Sequence, residues 1–355
     1  MLKILFFGPY SPPITGQSLA FKTVVDSYRR EQYILIDTTR FGWRFFNSIY
    51  SIIASFWYLL VKRRRIKVVY FTCTRSVLGA IKDIFMLLIA GSLRKRVVNH
   101  LHGADFAKFY TRYEILKPLL KIAYQSVSTT IVLTRSMEKE FNHFPLMKKI
   151  VVPNFYPKDF DNKELKKDKR IVVTYFSNLL KSKGIFDFLE AAKLVHQEKP
   201  DVQFVVAGKC MGDHLMNGHQ MKEGVNDFLM NNQDLSLEYI GEIDPFDRFA
   251  FLAQSHIFVL PTYYPTEGFP LSIIEAMRCG NVIITTDHNY LTDVIGSKNG
   301  TIVAPRNINV LAQAILYYIN DAQLMTEIQN YNREEAQSKY SESTYLQSIK
   351  ELIGS

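Results

Sequence analysis

The chain has 355 residues, 47% hydrophobic and 22% charged, which suits two globular domains of about 150 residues better than one core. Its net charge of +9 favours an acidic partner, such as a phosphorylated substrate or an anionic lipid. No zinc finger, RNA-binding aromatic signature or basic-region heptad accompanies that charge, so we do not expect nucleic acid as a partner.

The cysteines and the first residues bear on the cellular compartment. Cys73, Cys210 and Cys279 lie far apart and lack the paired spacing of a metal site, so we expect reduced thiols. The apolar run that ends at Gly8 lacks the basic start and the cleavage site of a signal peptide. We therefore expect a first buried strand in a cytoplasmic protein.

Short apolar runs predict six strands in the first part of the chain. They are residues 2–7, 33–36, 67–72, 97–101, 129–133 and 150–152. Stretches of helical length and composition separate them, for example residues 17–30, 45–62 and 106–125. The runs are continuous rather than alternating, which predicts a parallel sheet that is covered on both faces.

The pattern stops after Pro153 and starts again after a polar, charged stretch. Six further strands are predicted at residues 171–176, 202–207, 237–240, 257–260, 282–285 and 301–303. Two such series predict an α/β chain with two doubly wound domains facing a central cleft. We place them at residues 1–153 and 171–337, with a linker at 154–170 and a last stretch, 338–355, that packs back on the first domain.

The strongest chemical signal lies between the predicted strands 257–260 and 282–285. Glu267 follows the first of these strands, and Glu275 lies in the helix behind it. Pro270 suits the first helical turn, and the free amides near Leu271 and Ser272 would then point at an anion. Two carboxylates beside such amides suit a ligand with two polyhydroxyl parts joined by a diphosphate. Two unrelated acidic residues at a helix start are the alternative.

This segment resembles the motif E-G-F-x-L-x-x-x-E-A-M/A-x-x-G of the retaining glycosyltransferases of family four, which adopt the GT-B fold of two Rossmann-like domains. The matching positions include Glu267, Gly268, Phe269, Leu271, Glu275, Ala276 and Gly280. The resemblance implies that Glu267 binds hydroxyls of the donor hexose in a catalytic role and that Glu275 binds the ribose of the nucleotide. The backbone contacts that it implies come from Gly268, Phe269, Pro270, Leu271 and Ser272.

A second segment, residues 175–185, resembles the family pattern G-R-L-x-x-x-K-G. Lys183 matches the lysine that meets the leaving diphosphate, which implies a catalytic and donor-binding role. Asn178 stands where the family has arginine, which removes one positive charge from the predicted donor site. Lys181 either compensates for this loss or is an ordinary surface lysine. The backbone near Ile243, at another family-like strand end, is implied to contact the nucleobase.

The first domain carries weaker resemblances. The segment Pro12-Pro13-Ile14-Thr15-Gly16-Gln17-Ser18 is similar to the family's glycine-containing loop, which implies that Gly16 and Gln17 approach the donor phosphate. His102 resembles a family histidine and is implied to contact the donor sugar as a catalytic-site residue, not as a proton-transfer base. A histidine that caps a strand end is the alternative. Asp105 is placed to meet an acceptor hydroxyl.

Together these resemblances imply a retaining hexosyltransferase. Its donor would be a nucleotide diphosphate sugar, with a UDP-sugar favoured, and its acceptor a saccharide hydroxyl, lipid-linked, in polysaccharide, lipopolysaccharide or O-antigen biosynthesis. We expect no cofactor and no metal, since no histidine cluster suited to a metal ion is present, and the lack of G-x-G-x-x-G counts against a nicotinamide enzyme. An epimerase or phosphorylase of the same fold, or a non-catalytic protein that binds sugar nucleotides or lipids, are the alternatives.

Residues 41–65 are a possible membrane contact. An aromatic, apolar stretch precedes Lys62-Arg63-Arg64-Arg65, and its part 45–61 is short and polar for a spanning helix. It is either an ordinary helix that covers the first sheet, or such a helix with Trp43, Phe46 and Trp57 in the membrane interface and the basic residues on anionic headgroups. The second interpretation predicts a peripheral protein on the inner face of the cytoplasmic membrane.

Overall fold

The computed structural model describes residues 3–12, 15–161, 163–165, 167 and 169–354. Outside these residues lie parts of the predicted first strand, phosphate loop, linker and last stretch: Met1, Leu2, Pro13, Ile14, Asn162, Lys166, Asp168 and Ser355. The chain divides into two compact units. Unit 1 comprises Met1–Pro153 and Tyr345–Ser355, and unit 2 comprises Asn154–Thr344.

Unit 1 is built on a parallel sheet in the order β2-β1-β3-β4-β5-β6. Its strands are β1 (Lys3–Gly8), β2 (Tyr33–Asp37), β3 (Ile66–Thr72), β4 (Arg96–His100), β5 (Val127–Val132) and β6 (Lys148–Val151). The strand order reverses between β1 and β3. In doubly wound sheets ligands bind at the carboxyl ends of the strands beside such a switch point.

The helices of unit 1 surround this sheet. They are α1 (Gly16–Asp26), α2 (Arg44–Val61), α3 (Val77–Ser92), α4 (Phe106–Arg112) and α5 (Lys117–Tyr124). The prediction of one helical stretch over residues 106–125 was wrong, because two short helices occupy it. Pro118 in the first turn of α5 lacks an amide hydrogen, and its ring would clash with the carbonyl four residues earlier in a continuous helix.

Unit 2 contains a parallel sheet in the order β12-β11-β10-β7-β8-β9. Its strands are β7 (Val172–Phe176), β8 (Gln203–Ala207), β9 (Leu237–Tyr239), β10 (Ile257–Leu260), β11 (Val282–Thr286) and β12 (Gly300–Val303). Counted within the unit, this is the Rossmann order 3-2-1-4-5-6 read from the other edge. The switch point lies between β7 and β10.

The helices of unit 2 cover both faces of its sheet, as parallel strands require. They are α6 (Ile185–Glu198), α7 (Gly218–Asn231), α8 (Arg248–Gln254), α9 (Leu271–Arg278), α10 (Ile308–Asn320) and α11 (Ala322–Lys339). All twelve predicted strands are present, with ends that differ by at most two residues. The predicted α/β class with two doubly wound domains is therefore confirmed.

Two segments complete the units. The described part of the predicted linker is packed against unit 2, because Phe155, Tyr156 and Phe160 are buried and the Phe160 ring lies 5.2 Å from that of Phe249. The last helix, α12 (Glu342–Gly354), belongs to unit 1 from Tyr345 onward. There the Arg96 guanidinium donates to the carbonyl of Leu352 at 2.7 Å.

Candidate active site

The position of the loop after β7 depends on Gly184, where a side chain would clash with the backbone after β10. The 3-10 turn Lys181–Lys183 ends at Gly184, whose φ is +76°. A Cβ atom at Gly184 would lie 2.1 Å from the carbonyl oxygen of Pro261, which follows β10. This close approach of the two backbones brings Lys183 to the switch point between β7 and β10.

Lys183 and Glu267 form the central ion pair of unit 2. The Lys183 ammonium contacts Oε2 of Glu267, and the two side chains are 14% and 8% exposed. The Thr262 hydroxyl lies 3.3 Å from the same carboxylate oxygen, and the Lys183 ammonium lies 5.2 Å from the centre of the Tyr264 ring. An ammonium has three donors, so Lys183 retains donors for a second anionic ligand.

The loop that carries Glu267 is held by residues that the sequence analysis missed. Asn289 donates from Nδ2 to the carbonyl oxygens of Pro265 at 3.2 Å and Glu267 at 3.0 Å. Its φ is +50°, a backbone conformation that asparagine tolerates better than most residues. A ring nitrogen of His288 lies 2.8 Å from the carbonyl oxygen of Tyr264. The only sequence signal was the turn-forming type of Asn289.

Helix α9 begins one residue later than predicted. Pro270 is the residue before the helix, with ψ of 129°, and is not in its first turn. Within the described residues, the amides of Leu271 and Ser272 have no hydrogen-bond partner. They are therefore available to an anion at the positive end of the helix. Gly268 and Phe269, which precede them, are buried.

Glu275 lies inside α9 and is only 1% exposed. Burial raises the pKa of its carboxyl group, and the Arg248 guanidinium, 3.3 Å from Oε1, opposes this rise. The guanidinium in turn lies 5.8 Å from the centre of the Phe176 ring at the end of β7. Arg248 was not predicted, because nothing in the local sequence relates it to Glu275.

The other predicted donor residues of unit 2 lie in neighbouring loops. Asn178 is exposed after β7, and Ile243 is half-buried after β9. The loops after β8 and β9 are joined by a hydrogen bond of 2.6 Å from the Gly208 amide to the Gly241 carbonyl oxygen. Asp213, which was not predicted, accepts from the amide and the hydroxyl of Ser182 at 2.8 and 2.6 Å and so fixes the turn that carries Lys183.

The predicted residues of unit 1 also lie beyond the carboxyl ends of its strands. Gly16 is the first residue of α1, where it is exposed, and Gln17 is half-buried. The helix is capped by Thr15, whose hydroxyl accepts from the Ser18 amide at 3.2 Å. Asp105 precedes α4 and is ion-paired with Arg75. Burial raises the pKa of Asp105, and Arg75 opposes the rise.

His102 follows β4 and stacks on His100, with ring centres 4.0 Å apart. Both ring nitrogens of His102 are inaccessible to solvent and have no hydrogen-bond partner in the described part of the chain. Burial, together with the positive Arg75, lowers the pKa of His102 to about 3, and burial lowers that of His100 well below its usual value. Both imidazoles are therefore neutral at pH 7 and are not proton donors, and the contact of His102 with the donor sugar stays a prediction.

These histidines predict an acid-sensitive unit 1. The unfolded chain protonates histidine near pH 6.5 while the folded chain does not, so stability is complete above pH 6.5 and is lost as the pH falls towards 3. For His102 the loss at pH 5 should be about 2 kcal/mol. Calorimetric unfolding at pH 7.5 and pH 5 should show a smaller acid loss for His102→Gln than for the wild type. The same acid loss in both proteins would contradict the prediction.

The described side chains also include the candidate metal ligands and the thiols. No group of three or more His, Cys, Asp or Glu residues able to hold a metal ion occurs among them. All three cysteines are free, and burial raises the pKa of Cys73 to about 12. A thiol with such a pKa is unreactive near neutral pH.

The fold matches that of known proteins. A chain of two parallel six-stranded sheets of this topology is of the GT-B type, and Anabaena HepE in complex with UDP superposes with a TM-score of 0.79 at 15% identity, over 99% of this chain and 100% of that one. The family model of the glycosyl transferases group 1 matches residues 157–335. The chain belongs to this family.

Two relatives with sequence similarity are bacterial glycosyltransferases named for the biosynthesis of surface polymers. The teichuronic acid biosynthesis glycosyltransferase TuaC of Bacillus subtilis (strain 168), described as putative, is 23% identical over 252 residues, which are 68% of this chain and 59% of TuaC. The capsular polysaccharide biosynthesis glycosyltransferase CapM of Staphylococcus aureus is 25% identical over 268 residues, 68% of each chain. The roles of individual residues in this chain stay predictions.

Proposed function

We propose that this chain is a retaining glycosyltransferase that moves a hexose-type sugar from a nucleotide diphosphate to a hydroxyl of a lipid-linked saccharide. The observation that carries the proposal is the pair of Lys183 and Glu267 at the switch point, beside the free amides of α9. The UDP in the HepE complex supports a UDP-sugar donor. The names of TuaC and CapM support a role in surface polysaccharide biosynthesis.

In the proposed reaction, the acceptor hydroxyl attacks the anomeric carbon from the face that the diphosphate leaves. The bond from this carbon to the phosphate oxygen breaks, the bond to the acceptor oxygen forms, and the departing phosphate takes the acceptor proton. Lys183 and the α9 amides stabilise the negative charge that grows on the diphosphate. Glu267 binds sugar hydroxyls, and Glu275 binds the ribose. No metal is needed in this scheme, because the ammonium and the helix end supply the positive charge.

The decisive experiment is a screen of sugar nucleotides for thermal stabilisation, followed by transfer assays. A ligand at 100 times its dissociation constant adds about 2.7 kcal/mol to the folded state. The donor that stabilises best is then offered with lipid-diphosphate saccharides, with and without chelator, and the anomeric configuration of the product is determined. Release of an altered sugar nucleotide without an acceptor would assign an epimerase instead. Loss of activity in chelator, restored by Mg²⁺ or Mn²⁺, would overturn the metal-free mechanism.

The two glutamates should give different kinetic defects. Glu275→Gln keeps the volume of a buried side chain but replaces a charged acceptor of a ribose hydroxyl, so the dissociation constant of UDP should rise about tenfold. Glu267→Gln should leave the affinity for UDP unchanged, because Glu267 binds hydroxyls of the transferred sugar, which UDP lacks. It should lower turnover at least about tenfold. Titration calorimetry with UDP and steady-state kinetics separate the two. Near wild-type behaviour of both variants would refute the assignment.

We also propose peripheral membrane association through α2, because this helix buries its polar side against unit 1 and exposes its apolar side. The side chains that it buries against the unit are mostly polar or small: Asn47, Ser48, Ser51, Ala54, Ser55 and Leu59. Those that it exposes are large and apolar: Phe45, Phe46, Ile49, Ile53, Phe56, Trp57, Leu60 and Val61. Such a contiguous apolar surface marks an interaction site, and the exposed basic residues 62–65 at its end favour an anionic membrane.

Helix length alone does not decide between spanning and lying on a membrane. Among the described residues, α2 is the single helix long and apolar enough to cross a bilayer, a test that core helices of soluble proteins also pass. Its packing against α3 within unit 1 favours a surface position, because a spanning helix would have to leave this contact.

A further inference from the structure

The guanidinium of Arg248 lies between the end of β7 and helix α9, beside the switch point of unit 2. One of its terminal nitrogens donates to Oε1 of Glu275 at 3.3 Å. The guanidinium carbon lies 5.8 Å from the centre of the Phe176 ring, at the end of β7. Asn178, where the family has arginine, is only two residues further along the chain. Arg248 therefore brings a positive charge to the strand end from which an arginine at 178 would extend.

Most donors of this guanidinium are free. A guanidinium has five N–H donors, and Glu275 is the one hydrogen-bond or ion-pair partner of Arg248 among the described residues. The Nε atom is inaccessible to solvent and has no hydrogen-bond partner in that part of the chain. The side chain as a whole is 25% exposed, so a ligand can reach it. Buried donors without a partner are costly, and an anionic ligand would satisfy them.

The charge balance of the site also depends on Arg248. Each glutamate of the motif carries one cation, since Lys183 contacts Glu267 and Arg248 contacts Glu275. With Lys183 alone, the site would have one cation beside two carboxylates, and this net negative charge would repel a diphosphate. With Arg248 the balance is neutral, and the positive end of α9 then favours an anion.

Lys181 does not supply this second cation. Within the described residues it forms no ion pair with Glu267 or Glu275. Burial raises the pKa of Asp187, and Arg306 and Lys181 oppose the rise, so the charge of Lys181 acts on the first turn of α6. This leaves Arg248 to replace the charge that is lost at position 178.

We propose that Arg248 is the second cation of the donor site and binds the diphosphate of the sugar nucleotide through its free donors while it holds Glu275. A planar guanidinium suits both tasks, because its fork matches the oxygens of phosphate and of carboxylate. The inference rests on the proposed transferase function only in naming this ligand the donor.

Two substitutions made in sequence test this contact in the full chain by calorimetry. Glu275→Gln removes the carboxylate, so an effect of Arg248 that acts only through Glu275 is absent from this background. Adding Arg248→Gln should then lower the affinity for UDP about tenfold further, because charge-assisted hydrogen bonds to phosphate are lost. The affinity for uridine, measured by competition with UDP, should not change. Adding Lys193→Gln instead removes an exposed cation of α6 and is the matched control, with unchanged affinity for UDP.

The double variant leaves no unpaired buried charge, so it should melt near the temperature of Glu275→Gln, and its retained uridine binding would show that the site is intact. UDP affinity equal to that of Glu275→Gln alone would show that Arg248 acts only on Glu275 and would overturn the proposal. An equal loss for uridine would assign Arg248 to the ribose, and an equal loss in the control would assign a general charge effect. Either result would overturn the phosphate contact. If no sugar is ever transferred while the expected binding results hold, the transferase function fails and the contact of Arg248 stands.

Discussion

Replacing Lys183 by alanine should lower the turnover of sugar transfer by about 10²–10³. The charge on the leaving diphosphate is largest in the transition state, so the ammonium contributes more to catalysis than to donor binding. The ammonium lies in a largely buried position beside Glu267, where water screens it weakly. Single-turnover kinetics with saturating donor measure the chemical step. Lys181→Ala, in the same turn, is the matched control and should stay near the wild-type rate.

A fold defect must be separated from this catalytic effect, because Lys183→Ala leaves the nearly buried Glu267 without its cation. Breaking such a pair is destabilising even where the intact pair adds little stability. The double variant Lys183→Ala with Glu267→Gln removes both charges and should recover the melting temperature. Its turnover should remain at least 10² below the wild type. Recovery of activity together with stability would show that Lys183 is only a structural partner of Glu267.

The fold was predictable because its strands are covered on both faces. Such strands appear as continuous apolar runs, and helices or charged loops separate them clearly. The prediction of one helix over residues 106–125 was wrong, because Pro118 divides this stretch into α4 and α5. Within the predicted linker 154–170, the sequence pattern did not indicate that the aromatic rings of Phe155, Tyr156 and Phe160 are buried against unit 2.

The site was predictable only where its residues are close in sequence. Glu267, Glu275 and the start of α9 belong to one short segment, so their spacing carries information. The spacing of residues in distant segments carries no such information. Lys183 and Glu267 are 84 residues apart, and Arg248 and Glu275 are 27 apart. The positions of these partners depend on strand order, which brings the loops after β7 and β10 together.

The cavity of unit 1 that lies beyond the carboxyl ends of β1, β2 and β3 could not be predicted from the sequence, for the same reason. Its walls come from three strand ends and three helix starts, and of these only the loop before α1 resembles a known motif. The sequence showed the apolar segment 41–65, but it did not show which face of the helix is exposed to solvent. A sequence pattern shows that a helix has an apolar face, and only the packing of α2 shows that the apolar face is exposed and the polar face buried.

Neutralising the four basic residues 62–65 as glutamines should nearly abolish binding to anionic vesicles. All four are exposed, and each basic residue near such a surface contributes about 1 kcal/mol, so the variant should lose about 4 kcal/mol, or roughly 10³ in partition coefficient. The two tryptophans, Trp43 and Trp57, lie beside or within α2 and are exposed. Their fluorescence should shift to shorter wavelength when the wild type binds, and added salt should reverse the shift.

The matched control removes four positive charges from exposed positions of unit 2. Its substitutions to glutamine are at Lys193, Lys222, Lys298 and Arg333. Both variants have the same net charge, so a loss that depends only on net charge would appear equally in both. We expect the control to bind within about threefold of the wild type, because surface attraction falls off within a Debye length. A variant with Trp43, Phe46 and Trp57 changed to serine should also bind weakly, with the fold intact, because these side chains are exposed. Equal binding by the 62–65 variant and the wild type, or no binding by the wild type at low salt, would contradict the membrane role. Helix α2 would then be an ordinary helix that covers the first sheet.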